Sequence, residues 1–363
     1  MRNNIGKRSA SNCCGCGLCS FVCPVKAISM VEDKRCFFIP VVNKHKCINC
    51  GLCKTNCPMS ASEVLLKEKK YGFYQASEKK EQKCASGGAF YDIALRAIEN
   101  GYKICGASLV KDNGDFLCKH VFVYSTKDII KIIGTKYIQS DLNSIYVEIN
   151  HLLKNDEKVL FVGTPCQVAA IKNLSKKYNS INLITVDLFC FGVPSKSIFN
   201  TYLKQLENKA NRKVTSVCFR HKMEKKEGTY LVIELEAGET LIEPAQFSHK
   251  QMFGFMKAFA SSHLCRDCCH DCVFKNKKRI GDISLGDVPI SFYEENKEFL
   301  KQHFDVGRGI SAVGIGEKNF NLINPIFSPL FDFSGYYVPA FCAGKKPTKR
   351  SIKKTEKELL GGN

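Results

Sequence analysis

The chain has 363 residues, room for a small module plus one or two larger domains. Hydrophobic residues make up 44%, enough to build a core, which excludes disorder as the starting expectation; no uninterrupted apolar run approaches the roughly 18 residues of a membrane helix. The formal net charge is +19 and there are 21 cysteines, an odd number.

Residues 1–7 have no apolar stretch behind their basic residues, so no secretory signal is read there and a cytoplasmic location is expected. In a reducing compartment thiols stay free, which makes metal ligation a better expectation for the cysteines than disulfides.

Cys13, Cys16, Cys19 and Cys23 follow the spacing C-x2-C-x2-C-x3-C with Pro24 behind them, and Cys47, Cys50, Cys53 and Cys57 repeat it with Pro58. The repeat extends to Cys16-Gly17-Leu18-Cys19 and Cys50-Gly51-Leu52-Cys53. Three thiolates on one tight loop reach three irons of a cubane, while the fourth of each run ligates the other cluster. Cys13, Cys16, Cys19 and Cys57 are therefore expected to hold one [4Fe-4S] cluster, and Cys47, Cys50, Cys53 and Cys23 a second. Zinc would favour C-x2-C pairs separated by a longer span. Short strands are expected at 27–31 and 36–41; Cys14 and Cys36 fall off the spacing and read as plain thiols.

After a Lys/Glu-rich linker or surface helix at 60–80, strands and helices alternate, the pattern of an α/β domain. Ser86-Gly87-Gly88 leads into an apolar-periodic helix at 89–99, with Ser86 as the expected N-cap and two glycines that would let an anion approach free backbone N–H groups. Strands at 103–108 and 116–123 are followed by a short helix ending at Gly134. Lys136 and Tyr137 then offer a cation and a ring that could face a planar, anionic cofactor. A buried strand at 158–163 runs into Thr164-Pro165-Cys166, with Thr164 as N-cap and Pro165 at the first helical position. Cys166 thus falls in a first helical turn, where the helix dipole favours a thiolate.

The next strand, 181–188, ends at Phe189-Cys190, and a helix is expected from about 196 to 206. Cys166 and Cys190 both lie just past strand ends, where functional groups collect in α/β sheets. Cys265, Cys268, Cys269 and Cys272 form two overlapping C-x2-C pairs. Either pair could complete a four-thiolate site with Cys166 and Cys190; a zinc site including His270 competes. Gly314-Ile315-Gly316 lacks the rest of a dinucleotide fingerprint and reads as a strand end.

Three four-thiolate cubanes at about −2 each would lower the net charge to roughly +13, and Lys and Arg are spread along the chain, so no nucleic-acid partner is expected. The dense basic run at 345–357 is expected to be a solvated, frayed terminus.

Ser86-Gly87-Gly88, Gly134-Thr135-Lys136-Tyr137, Gly163-Thr164-Pro165-Cys166-Gln167, Cys190-x-Gly192-Val193-Pro194-Ser195, Cys269-x2-Cys272 and 281–287 occur in this order. The set resembles the beta subunit of coenzyme F420-reducing hydrogenase and its dehydrogenase relatives. The resemblance implies an α+β chain: a bacterial-type dicluster ferredoxin module at 1–70, then an α/β flavin-binding domain in two parts, 71–155 and 156–345, with a basic tail at 346–363. It implies a third [4Fe-4S] cluster on Cys166, Cys190, Cys269 and Cys272. It also implies FAD lined by Ser86, Gly87, Gly88, Lys136, Tyr137 and Thr164, with Lys136 in a catalytic role stabilising negative charge on the reduced flavin. The implied activity is oxidoreduction: electrons pass between clusters and a flavin that exchanges hydride with a small-molecule substrate, a deazaflavin coenzyme in the namesake. The partner expected is ferredoxin or another redox protein. A non-catalytic relay or adaptor subunit is the competing expectation. The chain departs from its relatives in having no tryptophan and in carrying Phe191 where they often have His.

Overall fold

The computed structural model describes residues 3–360 apart from 7, 10, 61–65, 79–83, 179, 224–227, 246–251, 277, 289, 307 and 317–345. Parts of the expected 60–80 linker and of the 345–357 run lie outside the described residues.

The N-terminal module pairs β1 (Ile28–Glu32) with β2 (Phe38–Val42) in an antiparallel ribbon. Each cysteine loop contributes one helical turn, Leu18–Phe21 and Leu52–Thr55. Gly17 and Gly51 precede these turns at φ 79° and 82°, a left-handed backbone that glycine adopts without a Cβ penalty.

The larger domain is built on a seven-stranded sheet. Its strands are β3 (Lys70–Tyr74), β4 (Lys103–Asp112), β5 (Asp115–Val123), β6 (Val159–Gly163), β7 (Leu183–Leu188), β11 (Ile283–Asp287) and β12 (Ser311–Ile315), in the order β3-β12-β11-β7-β6-β4-β5. The inner four, β11, β7, β6 and β4, are parallel, whereas β5, β12 and β3 join antiparallel at the edges. Every residue of β6 and β12 is buried, as central strands covered on both faces require. One face packs on the helix Ala89–Glu99, whose Ala89, Ile93, Ala94 and Ala97 repeat at helical spacing. The other packs on the helices Ile145–Lys154 and Pro165–Ser175.

A second sheet of β8 (Val214–His221), β9 (Tyr230–Leu235) and β10 (Thr240–Pro244), in the order β10-β9-β8, shares a separate core with the helices Lys196–Ala210 and Gly254–Ala260. This sheet was not expected from the sequence.

Two expectations need correction. Gly88, at φ 84°, caps the 89–99 helix in place of Ser86. The C-terminal basic run also does not fray where it is described: Lys349–Leu360 is a helix, Ile352 is buried and Leu359 packs on the second core. Lys346 pairs with Asp267 at 2.8 Å, and Glu356 faces Arg35 at 3.5 Å. Apolar side chains at Ile352 and Leu359 fall on one face of this helix and supply the anchor that charge counting hides.

Candidate iron–sulfur centres and cofactor site

The parallel strands β6, β7 and β11 all deliver their C-terminal ends to one region. Beyond β6, Thr164 opens the next helix with a reciprocal cap: its backbone N–H donates to Gln167 Oε1 at 3.0 Å while its own side chain meets the Gln167 backbone. This fixes Cys166 in the first turn, 3.3 Å from Thr164 Oγ1. Behind it, Gln167 Nε2 donates to Ser140 Oγ at 2.8 Å, and Ser140 Oγ meets His120 Nδ1 at 2.9 Å. His120 Nε2 is 2.9 Å from the carbonyl of Val162, so the ring donates there and accepts from Ser140. Burial holds His120 down at about 4, and the ring stays neutral in this role.

Cys166 and Cys190 line one cavity together with Cys268, Cys269 and Cys272 from the cysteine-rich turn and Cys14 from the N-terminal module. The four thiols expected to hold a third cluster therefore share one enclosure. Cys265 is wholly buried beside Gly192, whose added Cβ would lie 2.6 Å from its sulfur, and it is absent from the cavity wall. Cys14, read from the sequence as a plain thiol, is buried and lies beside Cys166 in this cavity and beside Cys16 in the next. No spacing rule could have found that contact, since it joins two modules.

A second cavity is lined by Cys13, Cys16, Cys19 and Cys57, again with Cys14 on its wall. Cys57 thus stands with the first loop, as the crossed ligation pattern requires. Cys23 and Cys47 lie close enough to Cys53 for their charges to act on it. The donor chemistry of both loops suits anionic clusters, because backbone N–H groups aim at sulfur: Gly15 at Cys13 (3.3 Å), Ala27 at Cys23 (3.2 Å) and Ile5 at Cys53 (3.1 Å). Among the described residues no group of three or more His, Cys, Asp or Glu is arranged to hold a single metal ion.

The module is clamped to the larger domain by cations. Arg266 is wholly buried and donates to the carbonyls of Cys13 and Phe38 and to Gln139 Oε1, with its guanidinium 5.1 Å from the Phe37 ring centre. It lines the cavity of Cys166 and Cys190 as well. Arg35 reaches the other way, to the carbonyls of His263 and Cys265 and to Asp267. Arg279, which also lines the cavity of Cys166 and Cys190, is neutralised by buried Asp187 at 2.7 Å.

The residues expected to line a flavin divide between two places. Thr164 lines the cavity of Cys166 and Cys190. Ser86 and Tyr137 are linked elsewhere, through Arg220 of β8, Lys222 just beyond its end and Asp287 of β11. Lys222 Nζ donates to the Ser86 carbonyl at 2.8 Å, Arg220 pairs with Asp287 at 2.7 Å, and Arg220 also hydrogen-bonds to Tyr137. The Tyr137 ring packs on Phe219 and Phe259. Burial, opposed by Asp287, pushes Lys222 down to about 8. Gly87 is pressed against β3 and β12: an added Cβ would lie 2.4 Å from the Tyr74 carbonyl. Lys136 donates to the carbonyls of Ile132 (3.0 Å), Ile133 (2.7 Å) and Gly134 (3.1 Å), closing the turn before it, and burial lowers it to about 8. Arg220 and Lys222 were visible in the sequence as a basic run but were not counted among the site residues.

Residues 156–314 match the family described as the C terminus of the coenzyme F420 hydrogenase/dehydrogenase beta subunit, and residues 12–61 match the 4Fe-4S dicluster domain. Among solved structures, a chain of the F420-reducing [NiFe] hydrogenase complex from Methanosarcina barkeri aligns at 19% identity and a TM-score of 0.43, over 83% of this chain and 92% of that one. No protein of curated function matches the sequence.

Proposed function

We propose that this chain, in which residues 156–314 belong to the coenzyme F420 hydrogenase/dehydrogenase beta-subunit family and residues 12–61 form a 4Fe-4S dicluster domain, is an iron–sulfur oxidoreductase subunit that carries electrons through three cubane sites to a flavin. The observation that carries this reading is the contiguity of the two thiol-lined cavities, which share Cys14 as a common wall.

In the proposal, Cys13, Cys16, Cys19 and Cys57 hold the first cluster and Cys47, Cys50, Cys53 and Cys23 the second. Cys166, Cys190, Cys269 and Cys272 hold the third. Cubane clusters supply one-electron steps, and a bound flavin supplies the two-electron step that hydride exchange with a small molecule needs. The chain's own residues do the rest. The Thr164–Gln167 cap orients Cys166. Cys14 is buried and lies on the wall of both thiol-lined cavities. Arg220 and Lys222, held beside Asp287, present half-buried positive charge next to Tyr137 and the Ser86 carbonyl, which suits an anionic, planar cofactor such as FAD. In that site Lys136 acts through the backbone of 132–134.

The three carbonyls that occupy the Lys136 ammonium support a second reading, a relay subunit without its own flavin. Anaerobic purification followed by assay of iron, acid-labile sulfide and flavin decides. The first reading predicts about twelve irons and twelve sulfides per chain, together with bound flavin. Full cluster content without flavin supports the relay, and zinc without sulfide overturns both.

A further inference from the structure

The two cysteine loops are near-copies in sequence but face opposite environments. In the first, Leu18 is fully buried (0% exposed) among Tyr146 and Ile149 of the larger domain, and Tyr146 donates to the Cys16 carbonyl at 2.7 Å. Its glycines are covered too: an added Cβ on Gly15 or Gly17 would meet Arg266 and Gln139 or Asn143. In the second copy the equivalent Leu52 is 43% exposed, Ile48 is 62% exposed and Cys50 itself is exposed. Val25, two residues beyond Cys23, is 37% exposed.

The same segments carry exposed Lys26, Lys44, Lys46 and Lys54, with exposed His45 among them. Residues 43–62 contain no Asp or Glu. The loop surface that docks on the larger domain in the first copy is thus presented outward in the second, on segments that carry exposed lysines.

We propose that the loop around Cys50 is the docking surface for an acidic protein that carries a one-electron centre, which exchanges electrons with the cluster held by Cys47, Cys50, Cys53 and Cys23. The inference rests on the cluster reading above and extends it to a partner. Leu52 and Ile48 supply the contact that Leu18 makes internally, and the lysines steer and orient a negatively charged partner. One electron leaves the partner's reduced centre and one arrives at the oxidised cluster, with no bond made or broken. The exposed thiolate position keeps the two centres close.

The test uses the full chain, purified without oxygen, with iron and sulfide assayed first. An acidic two-cluster ferredoxin, chemically reduced beforehand, is mixed with wild type, with Lys44→Glu/Lys54→Glu, with Leu52→Ser and with Lys353→Glu/Lys354→Glu. The last pair reverses equal charge on the C-terminal helix. The proposal predicts about a tenfold or greater loss of the second-order rate constant at low ionic strength for Lys44→Glu/Lys54→Glu, a flattened salt dependence, and a smaller loss for Leu52→Ser. Iron content and reduction by dithionite stay at wild-type levels, and Lys353→Glu/Lys354→Glu behaves as wild type. Equal rates across all four loaded proteins, or an equal fall in the C-terminal pair, overturn the docking surface alone. A wild-type chain without iron or sulfide overturns the cluster reading with it.

Discussion

The guanidinium of Arg266 donates to the backbone carbonyl of Cys13 across the boundary between the two modules, and no carboxylate among the described residues is hydrogen-bonded to it. A buried charge needs a counter-charge. Arg279, which lines the same cavity, has Asp187; in the field of Arg266 stand Cys13 and Cys268, and Cys13 would supply the negative charge as a thiolate ligand of the proposed first cluster.

Arg266 is therefore expected to favour the reduced, more negative state of the flanking clusters. Replacing it with Gln should move their midpoint potentials to more negative values, by tens of millivolts on the scale where ~59 mV is tenfold for one electron. Arg266→Lys should shift them less. Redox titration followed by electron paramagnetic resonance reads this directly, and unchanged potentials in a fully loaded Arg266→Gln protein would refute the role.

The paired leucines separate core from surface. Leu18→Ala should cost about 2–5 kcal/mol, as for other fully buried leucines, and should loosen the module from the helix Ile145–Lys154. Leu52→Ala should stay within about 0.5 kcal/mol. Thermal unfolding under anoxia compares the two; equal losses would mean that Leu18 does not anchor the module.

Ligand choice at the third centre can be counted in iron. Cys272→Ala should lose about four irons per chain, whereas Cys265→Ala and Cys14→Ala should keep them. Loss of iron from the Cys265 variant would move the site to the other C-x2-C pair.

Glu243 gives the fold a pH signature. Its carboxyl is buried, accepts from the Tyr202 hydroxyl and from the Met256 amide, and burial pushes it up from 4.5 to about 7. Between those values the folded state holds more protons than the unfolded one, so stability falls as pH rises through this window. The full cost, on the order of 3 kcal/mol, applies above pH ~7 and vanishes below pH ~4.5. Glu243→Gln should thus be more stable than wild type at pH 8 and match it near pH 4. Denaturant unfolding at both values checks it, and a pH-independent difference would contradict it.

The cysteine spacing made the ferredoxin loops legible because ligation is local: three ligands lie within seven residues and the fourth follows the repeat. The α/β core was legible where apolar periodicity was strong, as at 89–99 and 159–163. What escaped was set by long-range contact. The sheet of β8, β9 and β10 has short strands with mixed burial, and β8 carries irregular register against β9. Cys14 and Arg266 matter only because distant segments meet at them. The Lys136 ammonium was assigned by its charge, yet its neighbours are the carbonyls of its own turn, a partner choice that residue type does not encode.

A connected path from the dicluster module to a third cluster in the same chain requires three paramagnetic centres on reduction. Electron paramagnetic resonance of the fully reduced, anaerobically purified protein at low temperature tests it most directly. Signals integrating to about three spins per chain are expected, broadened by interaction between neighbouring clusters, with one spin and part of the broadening removed by Cys166→Ala. A wild-type spectrum of two spins that Cys166→Ala leaves unaltered would contradict it.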